Sequence, residues 1–281
     1  MLFDTHLHLI YPNKIAYPWL TEVPKLNKPY KYEEYEITAN RLGIEACLHM
    51  EVDVYEGDIK NETMMVDSLS KQPGSKIKGI ISACRPEQQG FGDFVNRAAQ
   101  NNLIKGFRRV LHVVSDDVSQ NPFFRENINL LVEHDFTFDI CARADQLPIV
   151  VKLIDACPNV KFILDHCGVP DVKNSVFSSW AAAMTNIAQR PNVTAKISGI
   201  IAYGDGESWS LSDMKPFFEH TVDVFGIKRI IWGSDSPVCQ LGGGLPTWVA
   251  LTHTLTGEWS KSERKSFYRE NAYKLWNMKD N

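Results

Sequence analysis

The chain has 281 residues, of which 44% are hydrophobic and 23% charged, a balance that indicates a folded protein with a sizeable core and excludes a disordered one. Its net charge of −4 comes without a long basic run, which argues against nucleic acid or an anionic membrane as a partner. A small-molecule partner is therefore favoured.

The chain has no stretch of about 18 apolar residues and begins without the basic and apolar segments of a signal peptide. We therefore expect a cytoplasmic protein without a membrane span. The six cysteines occur singly, with no CxxC pair, which indicates reduced and mostly buried thiols. Cys167, beside His166, is the cysteine of most interest for function.

Short apolar runs and amphipathic segments alternate along the chain. The apolar runs predict strands at 2–9, 44–53, 78–84, 104–112, 136–142, 160–165, 193–198 and 229–234. The amphipathic segments predict helices at 32–42, 61–72, 92–101, 123–134, 145–156, 175–189, 211–225 and 260–276. Continuous apolar strands are typical of a parallel sheet covered on both faces. Eight such units predict an α/β protein, a closed (β/α)8 TIM barrel forming a single domain over residues 1–281.

Two loops stand out between these elements. Residues 10–31 are rich in proline and aromatic side chains, with Tyr17-Pro18-Trp19-Leu20 in the middle. We predict that this loop lies over the barrel mouth as one wall of a pocket, with a packed surface loop as the equal alternative. Gly242-Gly243-Gly244 follows no apolar strand of the kind that a phosphate loop needs, so we interpret it as a flexible loop at the mouth.

The first predicted strand contains His6 and His8 two positions apart. Residues at i and i+2 of a strand point to the same face, about 6 to 7 Å apart at Cα, which suits two ligands of one divalent metal ion. Taken alone, such a pair is as often two unrelated histidines. Functional groups in this architecture collect at the carboxyl ends of the strands, so the other strand ends decide between the two interpretations.

His166 and Asp235 lie at the ends of the sixth and eighth predicted strands. A buried histidine after an apolar run needs a polar partner or a metal, and together with the histidine pair we favour the metal. A carboxylate at an apolar strand end is costly unless it is paired or binds a cation. We therefore interpret Asp235 as a catalytic group that takes a proton from water, with a helix N-cap as the alternative.

Three further strands carry charged residues. Glu51 shares a predicted strand face with His49 and would bind a metal or a substrate hydroxyl, with a solvated strand end as the equal alternative. One of Arg108 and Arg109 must point into the barrel, where its donor fork suits a carboxylate or a lactone carbonyl. Lys196, on the seventh strand, is a substrate-site candidate on the same argument.

Taken as a set, these residues resemble the amidohydrolase superfamily, specifically its lactonase-like branch of metal-dependent TIM-barrel hydrolases, which includes fuconolactonases and rhamnonolactonases. The resemblance extends over nearly the whole chain. The matching pieces are Phe3-Asp4-Thr5-His6-Leu7-His8, Tyr17-Pro18-Trp19-Leu20, His49-Met50-Glu51, Gly106-Phe107-Arg108, Leu164-Asp165-His166-Cys167-Gly168, Lys196-Ile197-Ser198-Gly199, Gly233-Ser234-Asp235-Ser236-Pro237 and Asn271-Ala272.

The resemblance implies hydrolysis of a sugar-acid lactone, such as an aldonolactone, or a related cyclic ester. Asp235 would be the general base, with His166 as a second catalytic group. His6, His8, His166 and Asp235 would hold one divalent ion, zinc in the first place and manganese in the second. A metal-free mechanism, in which the histidines polarise the carbonyl, stays open. The fourth and fifth predicted strands lack the lysine or glutamate and the histidine of better-known members, so a binuclear site is not expected.

The remaining site residues would contact the substrate. Arg108 corresponds to the arginine of the family's G-x-R motif, and Lys196, Trp19 and Glu51 would complete the substrate site. Two other functions are weighed against the lactonase: a decarboxylase of an unsaturated or aromatic acid, and a non-catalytic barrel that binds a small molecule. Oligomeric state is left open, with a homo-oligomer as one alternative.

Overall fold

The computed structural model describes residues 1–206 and 208–279 as a parallel eight-stranded barrel surrounded by helices. The strands pair in chain order from β1 to β8, which confirms the predicted fold class. They are β1 (Leu2–Leu7), β2 (Ile44–Met50), β3 (Ile77–Ala83), β4 (Ile104–Val110), β5 (Thr137–Cys141), β6 (Lys161–Leu164), β7 (Val193–Ser198) and β8 (Ile230–Gly233).

The barrel closes where the carboxyl ends of β1 and β8 meet. Leu7 forms a parallel bridge with Ser236. Asp235 N donates to His6 O at 2.9 Å, and His8 N donates to Ser236 O at 2.8 Å. This pairing holds the two histidines of β1 next to Asp235.

The helices follow the strands and cover the outside of the barrel. They are α1 (Tyr32–Leu42), α2 (Ile59–Ser70), α3 (Phe91–Ala98), α4 (Asp117–Gln120), α5 (Pro122–Asn129), α6 (Leu147–Ala156), α7 (Ser178–Ala188), α8 (Leu211–Phe225), α9 (Leu245–Leu255), α10 (Lys261–Lys265) and α11 (Asn271–Leu275). The sequence pattern misses α4 and α9. Within the described ranges, no helix is long and apolar enough to cross a membrane.

The predicted flexible loop at Gly242–Gly244 is wrong, because this segment is the packed entry to α9. A Cβ at Gly242 would lie 2.5 Å from the carbonyl carbon of Ile201, so only glycine allows the two backbones to approach this closely. Trp209 Nε1 donates to Gly242 O at 2.8 Å and fixes the segment further.

One apolar cluster fills the barrel below the polar strand ends. Its members come from β1, β2, β3, β6 and β8, on different sides of the barrel, together with two residues of the C-terminal region around α11. They are Phe3, Ala46, Leu48, Met50, Ile81, Ile163, Ile231, Ala272 and Trp276. The interior is therefore a packed core, and room for chemistry lies at the carboxyl ends of the strands.

The segment 10–31 contacts the carboxyl ends of β2 and β8. It contains a single 3₁₀ turn over Pro18–Glu22. Trp19 Nε1 donates to Val52 O at 2.8 Å, and the hydroxyl of Tyr30 lies 3.1 Å from Ser236 Oγ. Both contacts are to residues two or three positions beyond the end of a strand.

Candidate active site

Two histidines of β1 meet at the centre of the site. Asp4 fixes the strand, because its Oδ1 accepts from the backbone N–H of His6 at 3.1 Å and of Ser234 at 2.7 Å. The Nε2 atoms of His6 and His8 lie 3.2 Å apart. His8 Nδ1 donates to Met50 O at 3.0 Å, which leaves a lone pair on its Nε2.

Asp235 lies beside these two histidines, at the carboxyl end of β8 where the barrel closes. Its Oδ1 lies 3.4 Å from His8 Nε2 and 3.8 Å from His6 Nε2. Its Oδ2 is buried and makes no hydrogen bond with any described residue. The residue has a φ of +56°, a left-handed conformation that aims the carboxylate back over the barrel. An unpaired buried carboxylate oxygen is costly and is therefore a mark of function.

His166 approaches Asp235 from β6. It follows the strand in a left-handed turn with a φ of +53°. Its Nδ1 lies 2.9 Å from Ser198 Oγ and 3.6 Å from Asp235 Oδ2. The ring centroids of His6 and His166 are 4.5 Å apart. The three predicted histidines and Asp235 therefore lie close together at one end of the barrel.

The arginine that faces the site is Arg108. Its Nε donates to Glu51 Oε1 at 2.5 Å, and an Nη donates to Glu51 O at 2.7 Å. Glu51 Oε2 accepts from Asp53 N at 2.7 Å, so both carboxylate oxygens of Glu51 are engaged within the chain. Arg109 points outward and pairs with Glu87 at 2.9 Å.

The predicted common face of His49 and Glu51 is wrong. His49 Nε2 lies 3.3 Å from Glu62 Oε1 on α2, outside the barrel. β2 ends at Met50, and the chain turns there, so strand alternation no longer applies to Glu51.

Lys196 lies beneath His6 and not at the mouth. Its Nζ is 2.5 Å from Asp139 Oδ2, 2.8 Å from Asp165 Oδ1 and 3.3 Å from His6 Nδ1. All four side chains are buried, with exposures of 0%. In this position Lys196 contacts His6 and Asp165, and its contact with a substrate stays a prediction.

Burial controls the protonation of the site. It lowers the pKa of His8 to about 3, with help from Arg108, and it lowers the pKa of His6 well below the usual value. Burial also lowers the pKa of His166. The histidines are therefore neutral, as metal ligands must be. Burial raises the pKa of Asp235 to about 6, against the opposing effect of His166.

The donor set fits a divalent ion. One ligand atom each from His6, His8 and Asp235 lie within 4.8 Å of one another, and the same holds for His6, Asp165 and His166. If both Nδ1 atoms on β1 carry the hydrogen, two Nε2 lone pairs face each other at 3.2 Å, an arrangement that a cation between them stabilises, with Arg108 Nη1 as a further donor 3.4 Å from His6 Nε2. If His6 is instead protonated on Nε2, it donates to His8 and needs no metal. Both predicted modes are therefore compatible with the structure.

Sequence reasoning missed three residues at the site. Asp139 and Cys141 alternate along β5, so both reach the interior, a spacing that could have been read from the strand. Cys141, and not Cys167, stands beside Arg108 and Asp165; burial raises the pKa of its thiol. Tyr203, in the turn after β7, packs edge-on against His166 with centroids 6.1 Å apart and has no sequence signal.

Comparisons with known proteins show which family the chain resembles. A family model described as amidohydrolase matches residues 3–278. An uncharacterized protein from Sinorhizobium fredii is 26% identical over 96% of each chain. An L-fucono-1,5-lactonase from Burkholderia ambifaria is 30% identical over 52% of this chain and 50% of its own length, so the match spans half of that lactonase.

A solved structure has a similar fold. A crystal structure of an amidohydrolase from Burkholderia multivorans with bound zinc superposes with a TM-score of 0.89 at 21% identity, covering 99% of this chain and 100% of that one. Because the family model matches residues 3–278, almost the entire length, the chain belongs to the amidohydrolase family.

Proposed function

We propose that this protein hydrolyses a lactone, most fittingly a sugar-acid lactone or a related cyclic ester. One observation carries the proposal: Asp235 Oδ2 is a buried carboxylate oxygen with no hydrogen bond to a described residue, and it faces His166 at the carboxyl end of the barrel. Such an oxygen is free to accept a proton from water. A similar lactonase, 30% identical over half its length, supports the substrate class.

The chain's own groups account for each proton. Asp235 Oδ2 takes a proton from water as the oxygen of that water bonds to the lactone carbonyl carbon. The bond from that carbon to the ring oxygen then breaks, and Asp235 returns the proton to the ring oxygen, so that a hydroxy acid leaves. His166, held by Ser198 Oγ, stays neutral and orients Asp235. These steps need no oxidant or other co-reactant.

We propose that His6, His8, His166 and Asp235 hold one divalent ion, with zinc ahead of manganese. Bound there, such an ion would polarise the lactone carbonyl and acidify a bound water. The surrounding charges favour a cation, because the buried carboxylates Glu51, Asp139, Asp165 and Asp235 outnumber Arg108 and Lys196. Without an ion, the neutral imidazoles would donate hydrogen bonds to the carbonyl.

The charges at the mouth favour an uncharged substrate. Arg108 is engaged with Glu51, and Lys196 is buried between two carboxylates. Arg85 and Arg143 at neighbouring strand ends pair with Glu56 and Asp145. A substrate carboxylate would have to displace one of these partners. A neutral lactone therefore fits this site better than the acid substrate of a decarboxylase. The available proton acceptor, Asp235 Oδ2, favours an enzyme over a barrel that only binds a small molecule.

The test is acid release from a panel of neutral aldonolactones, followed with a pH indicator before and after chelation. Metal content is measured on the same preparation by mass spectrometry. Acid release that chelation abolishes, with about one zinc or manganese per chain, supports the metal-assisted mode. Acid release from metal-free protein supports direct carbonyl binding. Carbon dioxide from aromatic acids, with no ring opening, would refute the proposal.

We propose in addition that the segment 10–31, with Trp19, forms one wall over the bound lactone in a cytoplasmic enzyme built as one domain. Its contacts with Val52 and Ser236, next to the site, support this position. Glu51, paired with Arg108, directly precedes Val52 in the chain and so lies near this wall.

Replacing Gly199 with alanine is expected to lower kcat/KM about a hundredfold, because small displacements of a catalytic group are costly. A Cβ at Gly199 would lie 2.7 Å from Asp235 Oδ2 and push the carboxylate aside. Gly43→Ala is the matched control: both glycines are left-handed, with φ of +55° and +72°, but a Cβ at Gly43 meets nothing within 4 Å. Equal effects of the two substitutions would point to backbone strain instead.

Tyr203→Phe is expected to lower kcat/KM about tenfold, the cost of one hydrogen bond to the substrate. The backbone of Tyr203 is fixed by Lys173 N, which donates to its carbonyl at 3.0 Å. Burial and the nearby Asp235 hold the pKa of Tyr203 well above its usual value, so the phenol remains a donor. Tyr273→Phe, near the opposite end of the barrel, is the control. If Tyr203→Phe and Tyr273→Phe raise KM equally and leave kcat unchanged, Tyr203 has no specific role.

A further inference from the structure

The side of His6 that faces away from the mouth contains a second set of cation ligands. Asp139 Oδ2, Asp165 Oδ1 and His6 Nδ1 surround one point, at 2.5, 2.8 and 3.3 Å from Lys196 Nζ. The three ligand residues come from β5, β6 and β1 and are fully buried. Carboxylate and imidazole donors in this arrangement are those that bind divalent metal ions elsewhere.

We propose that the ammonium group of Lys196 is a built-in cation that occupies an inner metal-type site, and that it limits the barrel to a single exchangeable ion. Removing the lysine side chain would open this site to a divalent cation, with Asp139 and Asp165 as ligands. His6 would be a third ligand by releasing its second ring proton to solvent and bridging the two ions as an imidazolate, because a neutral imidazole offers only one lone pair. The number of ions that the barrel binds does not depend on which substrate the enzyme takes.

The first argument is the need for positive charge at this point. Asp139 lies on β5 and Asp165 directly follows the adjacent β6, and both approach Lys196 Nζ within 2.8 Å in a region closed to solvent. Two buried carboxylates this close repel each other unless a cation lies between them. Arg108 reaches only Asp165, at 3.4 Å, so Lys196 is the cation that the pair shares.

The second argument is spare coordinating capacity. Asp139 Oδ1 is buried and forms no hydrogen bond within the described part of the chain. A lysine ammonium has three donors, whereas a metal ion accepts both oxygens of a carboxylate and tolerates more ligands. The ligand set is therefore not exhausted by Lys196 and could hold a small ion at shorter distances.

The third argument is the position of this inner site relative to the outer ligands His8 and Asp235. His6 belongs to both sets: its Nε2 faces His8 and Asp235, and its Nδ1 faces Lys196. One imidazole thus separates the predicted exchangeable ion from the fixed ammonium. The fifth strand lacks the histidine of better-known members, and its Asp139 contacts Lys196 Nζ.

The experiment compares the wild-type protein with Lys196→Ala and Lys196→Met. Each is dialysed against manganese or zinc and then against buffer, and metal per chain is measured by mass spectrometry alongside Tm. We expect Lys196→Ala to carry one more ion per chain than the wild type. We also expect saturating metal to raise the Tm of Lys196→Ala by about 5 °C relative to the metal-free variant. Lys196→Met fills the space with an apolar stem and should gain no ion.

A double variant, Lys196→Ala with Asp139→Asn, tests the ligands. It removes one of the two carboxylates, so it should fold without metal and hold the wild-type number of ions. Equal metal content in Lys196→Ala and the wild type would overturn the proposal. So would a Lys196→Ala protein that stays unfolded with and without metal, since an inner site would rescue it. Neither result depends on lactone hydrolysis, so failure of the proposed function would be seen separately in the lactone assay.

Discussion

Asp235→Asn is expected to lower lactone hydrolysis by a factor of about 10² to 10⁴, the usual contribution of a general base. Asparagine has nearly the same shape as aspartate but cannot accept a proton from water. The oxygen concerned, Asp235 Oδ2, is buried beside His166 Nδ1 at 3.6 Å with no hydrogen bond to the described residues, so no neighbouring group replaces it. The measurement is kcat/KM on the lactone that the wild type hydrolyses best.

The control applies the same change to a carboxylate at the rim. Asp145 follows β5 and forms an exposed ion pair with Arg143 at 3.0 Å, so Asp145→Asn should leave kcat/KM within about twofold of the wild type. Metal content is measured for both variants. If Asp235→Asn keeps the wild-type metal content and more than a tenth of the wild-type kcat/KM, another group transfers the proton.

Arg108→Met is expected to reduce the free energy of unfolding by about 3 to 5 kcal/mol, as when one partner of a buried ion pair is removed. Arg108 and Glu51 are 4% and 1% exposed, and their side chains meet at 2.5 Å. The substitution leaves Glu51 charged and buried, and it removes the donor to Glu51 O at 2.7 Å. Urea unfolding, with the transition followed by circular dichroism, gives the value.

Two further variants distinguish loss of the Arg108–Glu51 ion pair from nonspecific destabilisation. Arg108→Met combined with Glu51→Gln should recover part of the loss, because the buried charge is removed with its partner. Arg109→Met, one residue along, breaks the pair with Glu87, whose side chain is 23% exposed, and should cost less. If Arg108→Met and Arg109→Met destabilise the protein equally, the buried pair has no special role.

Local patterns were sufficient to predict the barrel. Short apolar runs separated by amphipathic segments reflect strands covered on both faces, and this pattern located all eight strands within a few residues. The pattern failed at α9, which follows three glycines and contains several β-branched residues that do not favour a helix. It failed again at Gly242, because close packing against Ile201 is a tertiary contact.

Strand ends also indicated which residues would meet. His6 and His8 share a face by alternation, and His166 and Asp235 follow apolar strands, so parallel pairing brings all four to one end of the barrel. That inference rests on the periodicity of the strand and on the cost of burying polar groups, both of which are properties of the sequence.

The sequence by itself determined the parallel barrel and the end at which its histidines and Asp235 gather. Only the tertiary structure decided the partner of each charge: Arg108 faces inward to Glu51, Arg109 faces outward, and Lys196 lies between Asp139 and Asp165. The physical reason is that periodicity assigns a side chain to a face, whereas ion pairs depend on distances between residues far apart in the chain, 57 positions for both Arg108–Glu51 and Lys196–Asp139.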